Sequence, residues 1–283
     1  MERYCDLHTH SVFSDGTCTP KQIIELAEEA GLAAVALCDH NTVAGLPDFL
    51  EAAKGREIEA VGGVELSTEY KDKDLHIVGL YIRPECYAGI TEMMEETNRR
   101  KLESNRALVE SLSSLGYVLD YEELAAQHPG GTMNRAHIAA ALTEKGYTAS
   151  IQEAFDGVLA DDGGIYHPPK RIGTMEAISY LKSIGAVSVL AHAFYDFTEQ
   201  ELEEFLPLAK NAGLDGMEIL YSSFNDEQRA AAARIAEKYG MLPSGGSDFH
   251  GGNKPHIRIG RGKGDLFVPL SFLEGIKEQK NMQ

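Results

Sequence analysis

The sequence has few cysteines, no long hydrophobic run and a shortage of positive charge. Its four cysteines show no C-x-x-C spacing, and two of them, Cys5 and Cys38, fall in apolar runs typical of buried strands, so we expect reduced thiols and a cytoplasmic location. No apolar run approaches the ~18 residues that span a bilayer, and no basic region followed by an apolar stretch precedes Asp6, so we predict neither membrane insertion nor export.

Lys and Arg number 26 against 44 Asp and Glu, which gives a formal charge of −18. This charge disfavours long nucleic acids and anionic membranes as partners, and an anionic substrate would need local positive charge.

Short apolar runs rich in β-branched residues alternate with amphipathic stretches of helical period along most of the 283 residues. This alternation predicts an α/β fold in which parallel strands are joined by crossover helices. The pattern predicts seven strands, one fewer than the usual eight-stranded barrel. They are Arg3 to Leu7, Ala33 to Cys38, Glu59 to Val64, Leu75 to Tyr81, Ala186 to Leu190, Gly216 to Leu220 and Met241 to Ser244.

The stretch from Thr97 to Tyr166 breaks this alternation, because it contains several helical patterns and no convincing strand. We predict an α-helical insertion after the fourth strand. The chain would then consist of a first barrel part (1–96), a helical insertion (97–167) and a second barrel part (168–283). The helical patterns are Leu102 to Leu115, Tyr121 to Ala126, Arg135 to Lys145 and Ile151 to Leu159.

Two helices outside the insertion have clear boundary signals. One begins after Thr19-Pro20, a hydroxyl cap before a first-turn proline, and ends at Gly31. The other runs from Asp226 to Tyr239, with Asn225 or Asp226 as its cap and Gly240 as its stop.

Candidate metal ligands accompany six of the seven predicted strands. In His8-Thr9-His10, the alternation of an extended segment points both imidazoles to one side, where they can hold one cation. For any single residue, a hydrogen-bonded His or a solvated acid is the commoner interpretation. The carboxyl ends of barrel strands face one rim, so these residues would converge there. The set is His8, His10, Asp15, His40, Glu65, His76, His192, Asp248 and His250.

The composition of this set indicates the kind of metal. Imidazole and carboxylate without thiolate suit Zn, Mn or Fe, and nine ligands exceed what one ion can use. We therefore predict two or three divalent cations. Glu65 is the favoured bridging ligand, because both its oxygens can bind metal and it follows a central strand.

At these residues the sequence resembles the PHP family, the polymerase and histidinol phosphatase group of metallophosphoesterases, and in particular its branch acting on small nucleotides and phosphorylated sugars. The matching segments span the chain: Asp6-Leu7-His8-Thr9-His10-Ser11, Ser14-Asp15-Gly16, Asp39-His40-Asn41-Thr42, Gly63-Val64-Glu65, His76, Ala191-His192-Ala193 and Ser247-Asp248-Phe249-His250. The resemblance implies a distorted (β/α)7 barrel. It also implies three metal sites, formed by His8, His10, Glu65 and Asp248, by Glu65, His76 and His192, and by Asp15, His40 and His250.

The resemblance extends to the insertion, where Asn134 to Ala139 and Ala154 to Tyr166 resemble a helical cap over the barrel mouth. Arg135 is the leading candidate for a fork that binds phosphate, with a surface Arg as the alternative. His137, two residues on, would diverge from Arg135 by about 200° in a regular helix, so only a loop or helix start lets both face one ligand. Further candidate substrate contacts, each with a solvated or capping role as the alternative, are His167, Lys170, Arg171, Ser222, Ser223 and Asn225. His128 and His256 are interpreted as loop residues.

Together these features predict hydrolysis of a phosphate ester by a water that the cations activate, with no protein partner. The catalytic residues would be Asp15, Glu65, His192, Asp248 and His250, and the proton donor to the leaving group stays open between His167 and a water. The favoured substrate is a nucleoside 3′,5′-bisphosphate losing its 3′-phosphate. The alternatives are a 5-phosphoribosyl 1,2-cyclic phosphate, short oligonucleotides trimmed from the 5′ end, and histidinol phosphate. A non-catalytic metal-stabilised PHP module is the rival from another class, but such modules usually lose ligands.

Overall fold

The computed structural model describes residues 3–127, 133–160, 164–167 and 170–282. His128 lies outside these residues. A mixed sheet curls into a nearly closed barrel, and all seven predicted strands are present in it. They are β1 (Tyr4–Thr9), β2 (Ala34–Leu37), β3 (Glu59–Tyr70), β4 (Lys73–Leu80), β6 (Val187–Leu190), β7 (Gly216–Tyr221) and β8 (Leu242–Gly246). The predicted α/β barrel with an α-helical insertion is confirmed.

Two short strands were not predicted. β5 (Ile172–Gly173) pairs with β3, and β9 (Val268–Pro269) pairs antiparallel with β1. The strand order of the sheet is β8-β7-β6-β4-β3-β2-β1-β9, with β5 off this path. The ends of the sheet meet beyond β8, where His10 N–H donates to the Phe249 carbonyl and Asp248 N–H donates to the His8 carbonyl, both at 2.9 Å. These bonds bring the segment after β8 beside the end of β1.

The expectation that all barrel strands are parallel is wrong for β4, which pairs antiparallel with both β3 and β6. Only Lys71 and Asp72 connect β3 to β4, and both have left-handed backbone, with φ of 49° and 63°. A two-residue turn of this kind forms a hairpin, whereas a parallel pair needs a crossover of a dozen or more residues. β4 therefore begins at the rim of the barrel. His76, which is near the start of β4, lies at the rim for this reason.

The helices surround the barrel and build the insertion. The predicted caps are confirmed: the Thr19 hydroxyl accepts from Gln22 N–H, and Asn225 rather than Asp226 caps its helix by accepting from Gln228 N–H. Among the described residues, no helix is long and apolar enough to cross a membrane. The helices are α1 (Pro20–Glu29), α2 (Leu46–Ala52), α3 (Tyr87–Ser114), α4 (Tyr121–Ala126), α5 (Arg135–Glu144), α6 (Ile151–Asp156), α7 (Thr174–Ser183), α8 (Glu199–Ala212), α9 (Asp226–Tyr239) and α10 (Leu270–Met282).

The apolar side chains form three clusters. One fills the barrel interior, and a second lies between the barrel and its surrounding helices. The third lies inside the insertion, where Leu108 and Leu112 of α3 pack with Ile138 and Leu142 of α5. The first half of α3 packs instead into the second cluster, between the barrel and its surrounding helices, through Ile90 and Met94. α3 thus joins the barrel to the insertion without a break.

From the left-handed backbone of the hairpin turn we predict that a glycine substitution there stabilises the protein. Lys71→Gly should raise the free energy of unfolding by about 0.5–1 kcal/mol, because a left-handed conformation is strained for Lys and not for Gly. Lys21→Gly, an exposed position in α1, should lower it by about 0.5–1 kcal/mol. Urea unfolding of both variants measures the pair, and a loss of stability in Lys71→Gly would contradict the turn geometry.

Candidate metal centre

Glu65 lies at the centre of the barrel rim, in β3, with its side chain 1% exposed. Five imidazoles surround its carboxylate. Oε2 lies 3.2 Å from His8 Nε2, 3.2 Å from His10 Nε2 and 3.1 Å from His40 Nδ1, and Oε1 lies 2.9 Å from His76 Nδ1 and 3.0 Å from His192 Nε2. Both oxygens are therefore shared between side chains from different strands, as a bridging carboxylate requires.

His8, in β1, and His10, directly after β1, point to the same side, because one residue separates them. Both are fully buried, and their rings lie 5.0 Å apart. His10 also meets Asp248, whose Oδ1 lies 3.2 Å from its Nε2.

A second group lies beside the first. His250 Nε2 is 3.1 Å from Asp15 Oδ1, and His40 Nε2 is 3.8 Å from Asp15 Oδ2. The structure thus brings all nine sequence-predicted side chains to one rim. Within them, three sets have their ligand atoms within 4.8 Å of one another: His10, Asp15, His40 and His250; His8, His10 and Glu65; and His40, Glu65 and His76.

The hydrogen bonding of this cluster shows that a cation fits it. Within the described part of the chain, the buried atoms that lack a hydrogen-bond partner of good geometry include six from the cluster: His8 Nε2, His10 Nδ1, His10 Nε2, His40 Nδ1, Glu65 Oε2 and His192 Nδ1. Leaving several buried polar atoms unpaired costs about 1–3 kcal/mol each. A nitrogen and oxygen set of this kind matches divalent transition metals.

The carboxylates and imidazoles of the cluster shift one another's pKa. Burial alone would raise the pKa of Glu65, but the imidazoles of His40 and His8 hold it well below its usual range. Burial would likewise raise the pKa of Asp15, but the imidazoles of His250 and His40 hold it well below its usual range. Burial lowers the pKa of His40 far below its usual value.

Burial also opposes protonation of His8, His10 and His76, but the neighbouring carboxylates raise the pKa of all three. The ionised carboxylates are already in the form that binds metal, whereas these three imidazoles would release a proton on binding it.

The two carboxylate oxygens of Asp248 contact different groups. Oδ1 faces the histidines, while Oδ2 accepts from the Tyr221 hydroxyl and from Lys254 Nζ, each at 2.6 Å. The backbone is left-handed at Asp248 (φ 56°) and at His192 (φ 30°), a strained conformation that side-chain contacts must maintain.

Sequence reasoning missed Glu218, which orients two of the candidate ligands. Its Oε1 lies 2.8 Å from His8 Nδ1, and its Oε2 accepts from the His192 backbone N–H at 2.7 Å. An Nδ1 proton donated to Glu218 leaves His8 Nε2 as the metal-binding atom. The available signal was an acidic residue inside the apolar strand Gly216–Tyr221, where its side chain is 2% exposed.

Asp39 and Asp6 are buried acids that hold the loops around the cluster. Asp39 accepts hydrogen bonds from the Ser11 backbone, the Ser11 hydroxyl and the Ser14 hydroxyl, next to Asp15. Asp6 accepts from the backbone N–H groups of Ser247 and Gly260.

A first cavity of about 270 Å³ opens between the cluster and the insertion. Asp15, His40 and His76 form its floor, and Lys101, Arg135 and Arg171 place three cationic groups on its walls. Lys101 was not predicted; it lies in α3, and burial lowers its pKa.

Two of the predicted phosphate contacts line this cavity. The Arg135 guanidinium stacks over the Tyr166 ring at 4.0 Å, and Arg171 forms an ion pair with Asp74 at 2.6 Å. Lys170 lies in an outer groove that Arg135 and Arg171 also reach.

The structure places the other predicted substrate contacts elsewhere. His137 is at a helix start but is buried beside a different cavity, where its Nδ1 accepts from Asn134 N–H at 3.2 Å in a capping box. His167 is exposed, and its carbonyl accepts from the Ser104 hydroxyl. Asn225 caps α9.

A second cavity, of about 620 Å³, lies on the other side of the cluster. Asp15, His40, Asp248 and His250 border it, and both Ser222 and Ser223 lie on its wall. Ser222 donates to the Ser247 carbonyl at 2.6 Å. His256, interpreted from sequence as a loop residue, lines this cavity with Lys254 and Lys263.

Comparison with known proteins gives consistent matches. The PHP domain family model matches residues 6–164. A 5′-3′ exoribonuclease of Haemophilus influenzae is 30% identical over 253 residues, covering 88% of this chain and 91% of that protein. A 3′,5′-nucleoside bisphosphate phosphatase of Chromobacterium violaceum is 30% identical over 247 residues, covering 87% and 86%. A phosphoribosyl 1,2-cyclic phosphate 1,2-diphosphodiesterase of Eggerthella lenta is 28% identical over 258 residues, covering 89% and 97%. A solved structure from Bifidobacterium adolescentis, assigned to the metal-dependent phosphoesterases, superposes with a TM-score of 0.86 at 29% identity, covering 97% and 95%.

The contacts of Glu218 predict a role in metal affinity. Glu218→Gln keeps the size of the side chain but turns one acceptor into a donor, which would face either His8 Nδ1–H or His192 N–H. We expect the affinity for Mn²⁺ to fall about 10–100-fold. Calorimetric titration of metal-free protein measures this effect. Glu237→Gln, at an exposed position of α9, is the control, and equal affinities of the two variants would contradict the prediction.

Proposed function

We propose that this chain, which belongs to the PHP family of metal-dependent phosphoesterases, removes the 3′-phosphate from nucleoside 3′,5′-bisphosphates. The observation that carries this proposal is the first cavity, where Lys101, Arg135 and Arg171 stand beside Asp15 and His40 of the cluster. In a chain of charge −18, three cationic groups at one small cavity favour an anionic ligand.

We propose that two or three cations of Mn, Zn or Fe occupy the cluster. His8, His10, Glu65 and Asp248 would hold one, Glu65, His76 and His192 a second, and Asp15, His40 and His250 a third. The first two sets are supported by Glu65, whose Oε2 faces His8 and His10 and whose Oε1 faces His76 and His192. His40 lies between sets, because its Nδ1 is 3.1 Å from Glu65 Oε2 and its Nε2 is 3.8 Å from Asp15 Oδ2. When bound, such cations supply Lewis acidity and lower the pKa of water.

The protein's own groups would then position the substrate. Arg135, Lys101 and Arg171 bind the phosphate that is not cleaved, which sets the second phosphate over the cluster. Of the residues predicted as catalytic, Asp15, Glu65, His192, Asp248 and His250 act by holding the cations. His137 and Asn225 are assigned structural roles in helix capping.

We propose that residues 97–167 form a cap on a barrel built from 1–96 and 168–283. The separate apolar cluster within the insertion supports this division. Lys101 and Arg135 come from the cap and Arg171 from the returning barrel chain, so the phosphate subsite would form only where the two parts meet.

The substrate is proposed to be small. Two of the three relatives are named for small phosphate esters, a 3′,5′-nucleoside bisphosphate and a phosphoribosyl 1,2-cyclic phosphate, and the third is named as an exoribonuclease. The charge of −18 opposes the approach of a long polyanion but has less effect on a compact substrate held by local cations.

Removing the charge of Asp248 tests the role of the cluster. Asp248→Asn should lower kcat/KM by about 100-fold or more, because a neutral amide binds divalent cations more weakly and leaves Lys254 unpaired. Metal content by mass spectrometry and phosphate release are measured together. Asp226→Asn, in the first turn of α9, is the matched control. Unchanged activity in Asp248→Asn, or fewer than two metal equivalents in the wild type, would sink this proposal.

The phosphate subsite is tested with substrates that differ by one phosphate. Wild-type protein should prefer adenosine 3′,5′-bisphosphate over 3′-AMP, and Lys101→Met and Arg135→Met should each remove about 10–100-fold of that preference. Lys54→Met, at an exposed position after α2, should leave it unchanged. Equal losses of kcat/KM on both substrates would place Lys101 and Arg135 at the cleaved phosphate instead.

A further panel separates the substrate classes. Adenosine 3′,5′-bisphosphate, 5′-AMP and a 5-phosphoribosyl 1,2-cyclic phosphate are compared by kcat/KM for the wild type. The highest value is expected for the bisphosphate, and a higher value for the cyclic phosphate would replace the proposed substrate.

A further inference from the structure

The insertion reaches the metal cluster through the side chain of Asn134. Its Nδ2 donates a hydrogen bond to Asp15 Oδ2 at 2.8 Å. Asp15 follows β1 and is buried, so this bond joins the insertion to a candidate metal ligand of the barrel rim. The other oxygen of the same carboxylate, Oδ1, lies 3.1 Å from His250 Nε2. One oxygen of Asp15 therefore faces the insertion, and the other faces the candidate cation site.

The orientation of the Asn134 amide is set by the helix that it caps. Its Oδ1 accepts from His137 N–H at 3.2 Å, and its own backbone N–H donates to His137 Nδ1 at 3.2 Å. Because the amide oxygen is used in the cap, the amide nitrogen is the atom that faces Asp15. An ionised Asp would cap the helix as well but has no proton to donate, whereas Asn makes both contacts.

The position of Asn134 is also set from α3. The preceding residue, Met133, accepts a hydrogen bond at its carbonyl from Asn105 Nδ2 at 2.6 Å, and both of these side chains are buried. Asn105 belongs to α3, the helix that runs from the barrel into the insertion. Asn134 is thus held between α3 and α5, and Asp15 meets a donor whose place does not depend on Asp15 itself.

Open space surrounds the contact between Asn134 and Asp15. Asp15 lines both the first and the second cavity. A third cavity, of about 490 Å³, is lined by Gly16 and Thr17, which follow Asp15, and by His137 of α5. The hydrogen bond is therefore a local attachment between the insertion and the rim, and not a by-product of close packing along the whole seam.

We propose that Asn134 is a positioning residue for the third cation, the one that Asp15, His40 and His250 would hold. Its hydrogen bond directs Asp15 Oδ1 toward His250, so this cation binds at full affinity only while the start of α5 lies on the rim. The inference rests on the proposed function, because the third cation is part of that proposal. Loss of a hydrogen-bond partner of a metal ligand typically costs about 10–100-fold in metal affinity.

The place of Arg135 connects this contact to the substrate. Arg135 is the first residue of α5 and lines the first cavity, so the side chain proposed to bind phosphate directly follows the one that holds Asp15. Both side chains depend on the same helix start. The third cation and the phosphate subsite would therefore be complete in the same position of the insertion.

Serine at position 134 tests the inference, because its hydroxyl can cap α5 but is too short to reach Asp15 at the same time. Mn²⁺ is titrated calorimetrically into protein stripped of metal with EDTA. In Asn134→Ser, one equivalent should bind about 10–100-fold more weakly, and the other equivalents should keep their affinity. The matched control is Asn225→Ser, the same change in the equivalent capping box of α9, which should bind every equivalent as the wild type does.

The dependence of activity on Mn²⁺ gives a second readout. At a Mn²⁺ concentration equal to the wild-type dissociation constant of the affected equivalent, kcat/KM for adenosine 3′,5′-bisphosphate should be about 5–50-fold lower in Asn134→Ser, as the weaker site fills less. Saturating Mn²⁺ should restore it. A role in folding alone, or in placing Arg135 alone, would leave a loss that Mn²⁺ does not restore.

The outcomes separate this inference from the proposed function. Unchanged Mn²⁺ affinity for every equivalent in Asn134→Ser, or a loss shared equally by Asn225→Ser, would overturn the role of Asn134 and leave the phosphatase proposal standing. Weaker binding of one equivalent in Asn134→Ser, in a protein that does not hydrolyse the bisphosphate, would overturn the proposed substrate and support the role of Asn134. Unchanged Mn²⁺ binding with a loss of activity that persists at saturating Mn²⁺ would place the effect at Arg135 instead.

Discussion

The carboxylate of Glu65 is the contact on which the rim of the barrel depends. Five imidazoles lie within 3.2 Å of its two oxygens, and they come from β1, from the segments after β1, β2 and β6, and from β4. Moving β3 by a fraction of an ångström would therefore disturb four other parts of the sheet. A single carboxylate cannot satisfy so many buried donors and acceptors, and a bound cation would pair the atoms that it leaves without a partner.

The residues that could be predicted from sequence are those whose role depends on local pattern. Strand positions follow from apolar runs, and the rim residues follow from where those runs end, which is how nine side chains scattered from His8 to His250 could be expected to converge. The helix caps at Thr19 and Asn225 are equally local, since each depends on a side chain three residues from its partner. None of these inferences requires knowledge of a distant contact.

The features that sequence reasoning missed depend on distant contacts or on atypical turn residues. The turn between β3 and β4 contains Lys71 and Asp72, not the Asn-Gly that usually marks a two-residue hairpin, so the direction of β4 was not evident. Lys101 lies in a helix with a weak apolar face, and only the fold brings it beside Arg171. The role of His137 also depends on a contact, since its Nδ1 accepts from Asn134 N–H in the cap of α5, and the sequence pattern beside Arg135 does not separate this role from a ligand contact.

The distribution of charge connects the two cavities to the choice of substrate. A protein with a charge of −18 repels every phosphate at long range, and screening confines that repulsion to about 8–10 Å at physiological salt. Within that distance, the cations of the two cavities outnumber their acids once the cluster itself holds metal. Attraction is then limited to ligands small enough to place each phosphate inside a cavity. A long polyanion would leave most of its phosphates over the acidic exterior, which is the physical reason for proposing a small substrate.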